Sequence, residues 1–249
     1  MPQSNLKVEL VQHTLDTQSL IALGARLCYA GGDLQSLQTK IAQNDQQLFL
    51  EKLLEMDHLS VLEHASMSFL VEGVSRALLA QLTRHRIASF SVQSQRYVSY
   101  QKGFGYIIPP SIMALGEEAI NRYKSQMDLM HTWYTQWQQD LGNTGEGTNE
   151  DARFVLPNAC ETRILFTMNL RELRHFFALR LCCRAQWEIR NMSEKMFELA
   201  YPVAPSILAN AGPACLSGRC NQGKKSCMKA TEVRNARKQY IVQHAHQAT

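Results

Sequence analysis

Fourteen consecutive residues, Arg84 to Tyr97 (RHRIASFSVQSQRY), constrain this chain more than any other stretch. Three arginines and five serine or glutamine side chains follow directly on the apolar run Val74–Leu82. On a helix, consecutive residues splay about 100° apart. Arg84, His85 and Arg86 can therefore converge on one ligand only from a loop or extended backbone. Guanidinium forks bind phosphate oxygens in pairs, and Ser and Gln match the polar edge of a base or a ribose. No acid occurs between Gln81 and Glu117, so these cations are expected to find partners outside the segment. The mixture suits a nucleotide better than a core. His85, between two cations, is expected to be a neutral imidazole.

The surrounding pattern predicts a mixed helix and strand protein. Leu6–Val11 and Ala65–Val71 alternate in polarity and predict strands, while Ser19–Cys28, the second half of Leu34–Met56, and Val74–Leu82 carry helical spacing. Ser111–Leu141 predicts one long helix with Ser111 as its N-cap, and Gly142–Glu150 a loop. Ala159–Met168 suits either a strand or a helix, and Asn169–Arg180 and Gln186–Tyr201 are helical. Beyond Gly212 the chain is polar and basic. It reads as one α/β domain, residues 1–212, followed by a cysteine-containing tail, residues 213–249.

Composition narrows the class. A chain of 249 residues can bury a sizeable core, and a net charge of +4 permits anionic small molecules without requiring nucleic acid. No run approaches the ~18 apolar residues of a membrane span, and the N-terminal MPQSNLKVELVQ has no signal-peptide pattern. Seven cysteines, an odd number, predict a reduced cytoplasmic protein rather than a disulfide framework. Cys215-x4-Cys220-x6-Cys227 has three thiols and not the paired spacing of a zinc knuckle; His244 or His246 would have to supply a fourth ligand. An unstructured or partner-contacting tail is the expectation, and no metal is expected. There is also no G-x-G-x-x-G after a strand and no Walker A loop, so a bound dinucleotide would need a site built from side chains.

Arg84-His85-Arg86, seven residues, then Ser94-Gln95-Arg96 resembles the defining motif of the flavin-dependent thymidylate synthases. His58–His64 (HLSVLEH), Asp151–Pro157 (DARFVLP) and Asn169–Arg190 (NLRELRHFFALRLCCRAQWEIR) resemble further segments of the same family, in the same order. The resemblance implies a helix and antiparallel-sheet domain, assembled as a homotetramer. It implies reductive methylation of dUMP to dTMP, with methylenetetrahydrofolate as carbon donor and FAD, reduced by NADPH, as hydride carrier.

By the same resemblance, Gln81, Arg84, Gln93, Ser94, Gln95, Arg96, Arg153 and Arg180 would hold dUMP. Arg180 would also stabilise negative charge on the uracil imide. Ser60, Arg84, His85, Arg86, Ile87, Val92, Asn169, Arg171 and His175 would meet the flavin, with His58 and Glu63 as neighbours. Val92 stands where some members carry an acid or amide, which leaves its backbone N–H as the available contact. Two readings from other classes stay open here. Arg84, Arg86 and Arg96 with Phe90 and Tyr97 could form a nucleic-acid surface. His58, His64 and His85 could serve a metal-dependent hydrolase, although their spacing is poor for it.

Overall fold

The computed structural model describes residues 1–244. In chain order it runs β1 (Lys7–His13), α1 (Thr17–Leu27), α2 (Leu34–Gln43), α3 (Gln47–Glu55), β2 (Ser66–Ser75), α4 (Arg76–Leu82), β3 (Ala88–Val92), α5 (Pro110–Met113) and α6 (Glu117–Asp140). It continues with α7 (Glu146–Ala152), β4 (Glu161–Asn169), α8 (Leu170–Arg180), α9 (Trp187–Ala200), α10 (Pro205–Leu208) and α11 (Ala230–His244). Among the described residues no helix is long and apolar enough to cross a membrane.

The strands form one sheet in the order β1-β2-β4-β3, and the two central ones carry the cleanest alternation. In β2, Met67, Phe69 and Val71 are buried while Ser66, Ser68 and Leu70 are not. In β4, Thr162, Ile164, Phe166 and Met168 are buried, between Glu161, Arg163, Leu165 and Thr167. This period of two selects strand for the segment that the sequence alone leaves open. Phe69 stacks on Phe166 at 5.8 Å, and the Ser68 and Thr167 hydroxyls are 2.8 Å apart. The helix and antiparallel-sheet class implied by the resemblance is the class observed.

The chain forms two compact units. The first comprises residues 1–8, 70–84 and 90–165. Its core gathers Tyr100, Phe104, Tyr106, Ile108, Met127 and Tyr134. A buried polar network crosses that core: Tyr134 Oη donates to Asn149 Oδ1, and Gln138 Nε2 donates to both. At Gly73, φ is +71° and a Cβ would lie 1.8 Å from the Asn5 carbonyl oxygen, so β2 can pass the N-terminal segment only with glycine there. The second unit comprises residues 9–69, 85–89 and, among the described residues, 166–244. Leu173, Phe176 and Phe177 of α8, and Ile189, Met192, Met196 and Phe197 of α9, form part of its core. Most polar positions of these helices face outward, as helical periodicity requires, but Glu172, Glu188 and Ser193 are buried.

Several elements differ from the sequence-based expectation. The helix expected over Ser111–Leu141 breaks at Gly116, whose φ is +93°, so α5 is separate and Ser111 caps nothing. Leu34–Met56 is helical in both halves, as α2 and α3, and not in its second half alone. The expected loop Gly142–Glu150 contains α7, whose entry is pinned by Thr148 Oγ1 accepting from Thr144 N. Residues 213–244 are folded, not unstructured. The Arg237 guanidinium sits 3.7 Å over the Phe197 ring and donates to the carbonyls of Leu208, Ala209 and Ala211. His246 lies outside the described residues, and His244 Nδ1 is 2.8 Å from the carbonyl of Tyr240.

Candidate active site

The second unit places the middle of the Arg-His-Arg motif in a buried side-chain relay. Arg84 to Ile87 form the loop between α4 and β3, in agreement with the loop geometry expected for convergent cations. His85 is 4 % exposed. Its Nδ1 lies 2.8 Å from Glu172 Oε1, and its Nε2 lies 3.1 Å from Arg180 Nε. A guanidinium N–H only donates, so Nε2 must be an acceptor. The proton of the neutral ring is therefore on Nδ1 and is donated to Glu172.

Burial depresses the His85 pKa below its ordinary value; the Glu172 hydrogen bond opposes that and the Arg180 charge reinforces it. The expectation of a neutral imidazole holds, but for another reason than its sequence neighbours. Desolvation and Arg180 do the lowering, rather than Arg84 and Arg86. Phe176 packs edge-on against the ring at 4.9 Å and helps fix its plane.

α8 and its N-cap carry most of the remaining residues expected to meet the flavin. Asn169 is its N-cap: Oδ1 accepts the backbone N–H of Glu172 at 2.8 Å, satisfying one of the free donors at a helix start. Asn169, Arg171 and His175 line a cleft of about 600 Å³, together with Ile87, Leu59 and Glu63. Arg171 Nη1 is paired with Glu63 across it. Ser60, at the start of the 3₁₀ turn Ser60–His64, lines a second cleft of about 700 Å³ with Tyr29, Phe49 and His58. Leu59 and Arg171 belong to both clefts, so Ser60 and α8 share a wall.

The first unit holds most of the residues expected to bind the nucleotide. Arg96 is clamped by two acids of α7, with Nη2 2.9 Å from Glu146 and Nε 2.7 Å from Glu150. Arg153 Nε donates to the Glu150 carbonyl at 3.0 Å, so residue 150 tethers both arginines. Asn149 Nδ2 donates to the Arg96 carbonyl. Ser94 Oγ accepts the backbone N–H groups of Arg96 and Tyr97, which shapes the turn. Gln93 is fixed through its main chain, its N–H to Arg163 O and its carbonyl to Arg76 Nη2. Gln95 Nε2 points to Cys160 Sγ at 3.6 Å. Gln81 is half-buried on α4, and Val92 ends β3.

Arg84 and Arg86 are exposed and carry no ion pair among the described residues. The expectation that the motif's cations need partners from outside it is thus met within the chain for Arg96, by acids fifty residues later. The Arg96 pairs are half exposed, so each contributes only about 0.2–1 kcal/mol. A phosphate dianion can take that guanidinium over.

Sequence reasoning misses Glu172, Glu146, Glu150 and Asn149. The Asn169-x-x-Glu172 capping pattern could have flagged Glu172, although its side chain turns to His85 instead of closing the box. Ligand atoms of His85, Glu172 and His175 lie within 4.8 Å of one another. Both His85 nitrogens are engaged, however, and Arg180 adds a cation beside them, which fits a hydrogen-bonded relay rather than a metal centre. His58 and His64 do not join that group, so the hydrolase reading loses its constellation.

A polar loop of cations, an α8 face bearing amide, guanidinium and imidazole, and a folded Ser94–Arg96 turn define a nucleotide enzyme without a Rossmann or Walker element. The family model for Thy1, the thymidylate synthase complementing protein, matches residues 9–206. Flavin-dependent thymidylate synthases from Geobacter sulfurreducens and Clostridium tetani are 48 % and 40 % identical over 230 and 239 residues. Each alignment covers 92 % of this chain, and 97 % and 96 % of those proteins. The solved UMP/dUMP methylase from Streptomyces cacaoi, bound with 5-bromo-dUMP, shares the fold at a TM-score of 0.66 and 23 % identity. The match covers 83 % of this chain and 94 % of that one. The chain belongs to the flavin-dependent thymidylate synthase family, methyltransferases whose cofactor is FAD.

Proposed function

We propose that this chain converts dUMP to dTMP by reductive methylation, taking the carbon from methylenetetrahydrofolate and the reducing equivalents from NADPH. FAD would be held by side chains rather than by a Rossmann element and would supply the hydride chemistry. The donor set suits that cofactor. Arg84 and Arg86 offer unpaired guanidinium groups to a diphosphate, and the cleft lined by Ile87, Asn169, Arg171 and His175 offers an apolar wall with polar edges. We assign Ser60 and the Val92 N–H to the same ligand.

Arg96 and Arg153 hold the dUMP phosphate and ribose, with Gln81, Arg84 and Gln93–Gln95 orienting the nucleotide. Arg180 presents its guanidinium to the uracil imide and stabilises the negative charge that makes the ring carbon nucleophilic. No cysteine nucleophile is required. The protein works in the cytoplasm as a homotetramer, as the family resemblance implies.

The observation that carries this reading is the His85 relay, in which Arg180 Nε donates to His85 Nε2 and the guanidinium is held in a fixed position. The test is direct. Purified protein should be yellow, release FAD on heating, and form dTMP only when dUMP, methylenetetrahydrofolate and NADPH are all present. A colourless protein, or turnover undiminished after flavin is stripped, would overturn it.

A further inference from the structure

Glu172 is 7 % exposed and lines the cleft of about 600 Å³ with Asn169, Arg171 and His175. A carboxylate so buried is costly unless hydrogen bonds and a cation offset its desolvation. Asn169 Oδ1 already takes the Glu172 backbone N–H, so the side chain is not needed to finish the helix start and turns inward. There Oε1 meets His85 Nδ1 at 2.8 Å. The cation at the other end of the relay is Arg180, eight residues further along α8. Eight residues span about 12 Å of helix axis, too far for a direct ion pair. His85 enters from the loop between α4 and β3 and bridges the gap, its Nε2 3.1 Å from Arg180 Nε.

We propose that Glu172 is a positioning residue for Arg180 and acts through His85; this rests on the assignment of Arg180 to the uracil imide. A carboxylate only accepts, so it holds the ring proton on Nδ1 and leaves Nε2 as the lone pair that Arg180 Nε needs. The charge on one side of the ring also makes the nitrogen on the other side a stronger acceptor. Phe176, edge-on at 4.9 Å, keeps the imidazole in the plane that joins its two partners.

The gain is order. An arginine side chain has many rotamers, and fixing them costs about 1.5–2 kcal/mol of side-chain entropy. The relay meets that cost on folding, so the guanidinium stands in place before the nucleotide arrives. Stability of the helix alone would not call for this arrangement. Apolar residues at 85 and 172 could pack against Phe176 with no charge to desolvate.

The experiment is a double-mutant cycle on the full, flavin-loaded chain, with kcat and KM for dUMP measured for Glu172→Ala, Arg180→Ala and the double variant. Glu172→Ala should lower kcat by up to about 10²-fold, the order of loss when a reacting group is misplaced by about 1 Å. KM for dUMP and flavin content should stay near wild type. Glu172→Gln keeps an acceptor for Nδ1–H and should recover most of the turnover. In the double variant, loss of Glu172 should cost nothing beyond Arg180→Ala, because its effect passes through that guanidinium. Losses that multiply across the cycle, an unchanged kcat in Glu172→Ala, or flavin lost in proportion to turnover would each overturn the role. If Glu172→Ala fails to fold, nitrogen-15 NMR of the wild-type histidines decides: His85 should carry its proton on Nδ1 at neutral pH, and a ring protonated on Nε2 excludes the relay. Turnover undiminished in Arg180→Ala would instead overturn the assignment of Arg180 itself, and the cycle reads that outcome separately.

Discussion

Arg180 Nε donates to His85 Nε2 at 3.1 Å, a contact that requires an unprotonated Nε2 on the imidazole. If the imidazole gains a proton, Nε2–H and Nε–H face each other and the relay opens. The group also bears on stability. Its folded pKa lies below the ordinary value of about 6.5, so folded protein takes up the proton less readily than unfolded chain. The contribution is full above about pH 6.5 and is lost as pH falls through that value toward the folded pKa. Glu172 favours the protonated ring, so Glu172→Gln should move the acid limb of kcat to lower pH. An unmoved limb, measured at saturating dUMP, would show that His85 does not govern it.

Arg180 and the clamped arginines should separate kinetically. Arg180→Ala should lower turnover by roughly 10²–10³ with little change in KM for dUMP, because charge on the imide develops on activation. Part of that loss should return as pH rises, since hydroxide can then ionise the imide unaided. Arg96→Ala and Arg153→Ala should mainly raise KM for dUMP. Parallel pH profiles for wild type and Arg180→Ala, with only affinity lost, would reduce Arg180 to a clamp.

What the sequence reveals here is local. The alternation of Met67, Phe69 and Val71 identifies β2 because a half-buried strand imposes it residue by residue. The loop character of Arg84–Ile87 follows from consecutive cations in the same way. The pairings that finish the site are remote and leave no trace in spacing. Glu172 meets His85 across 87 residues, and Glu150 meets Arg96 across 54. α7 is hidden because GNTGEGTNE has poor helix propensity; tertiary hydrogen bonds from Asn149, with a local one between Thr144 and Thr148, hold it. The terminal segment is hidden because its polar composition masks one half-buried arginine, Arg237.

Asn149 should couple fold to nucleotide affinity. Its side chain accepts from Tyr134 and Gln138 and donates to the Arg96 carbonyl, so it links the first unit's core to the turn. Asn149→Leu strands these groups at about 1–3 kcal/mol for each one left unsatisfied. Melting should fall by several degrees, and KM for dUMP should rise while flavin content stays near wild type. An equal loss of flavin would mean global rather than local damage.

Arg237 sets the last expectation, which reverses the one drawn from composition. Removal of residues 213–249 looks harmless in sequence, since every recognised motif ends before it. In the structure the Arg237 guanidinium covers Phe197 and satisfies three carbonyls around α10. Burial lowers its pKa to about 10, so it remains charged at neutral pH and all its donors stay in place. Truncation exposes the Phe197 and Tyr201 rings, which pack on Tyr240, and leaves those carbonyls to solvent. The truncated chain should therefore melt markedly lower and aggregate on warming. Arg237→Ala alone should cost about 2–3 kcal/mol, from a lost cation–π contact and charge-assisted hydrogen bonds. Arg237→Lys should recover part of the charge but not the bond to all three carbonyls, because an ammonium lacks the planar fork. Thermal melts of the three proteins, with flavin absorbance followed in parallel, decide the matter: unchanged melting of the truncated chain would return the segment to the status of an appended tail.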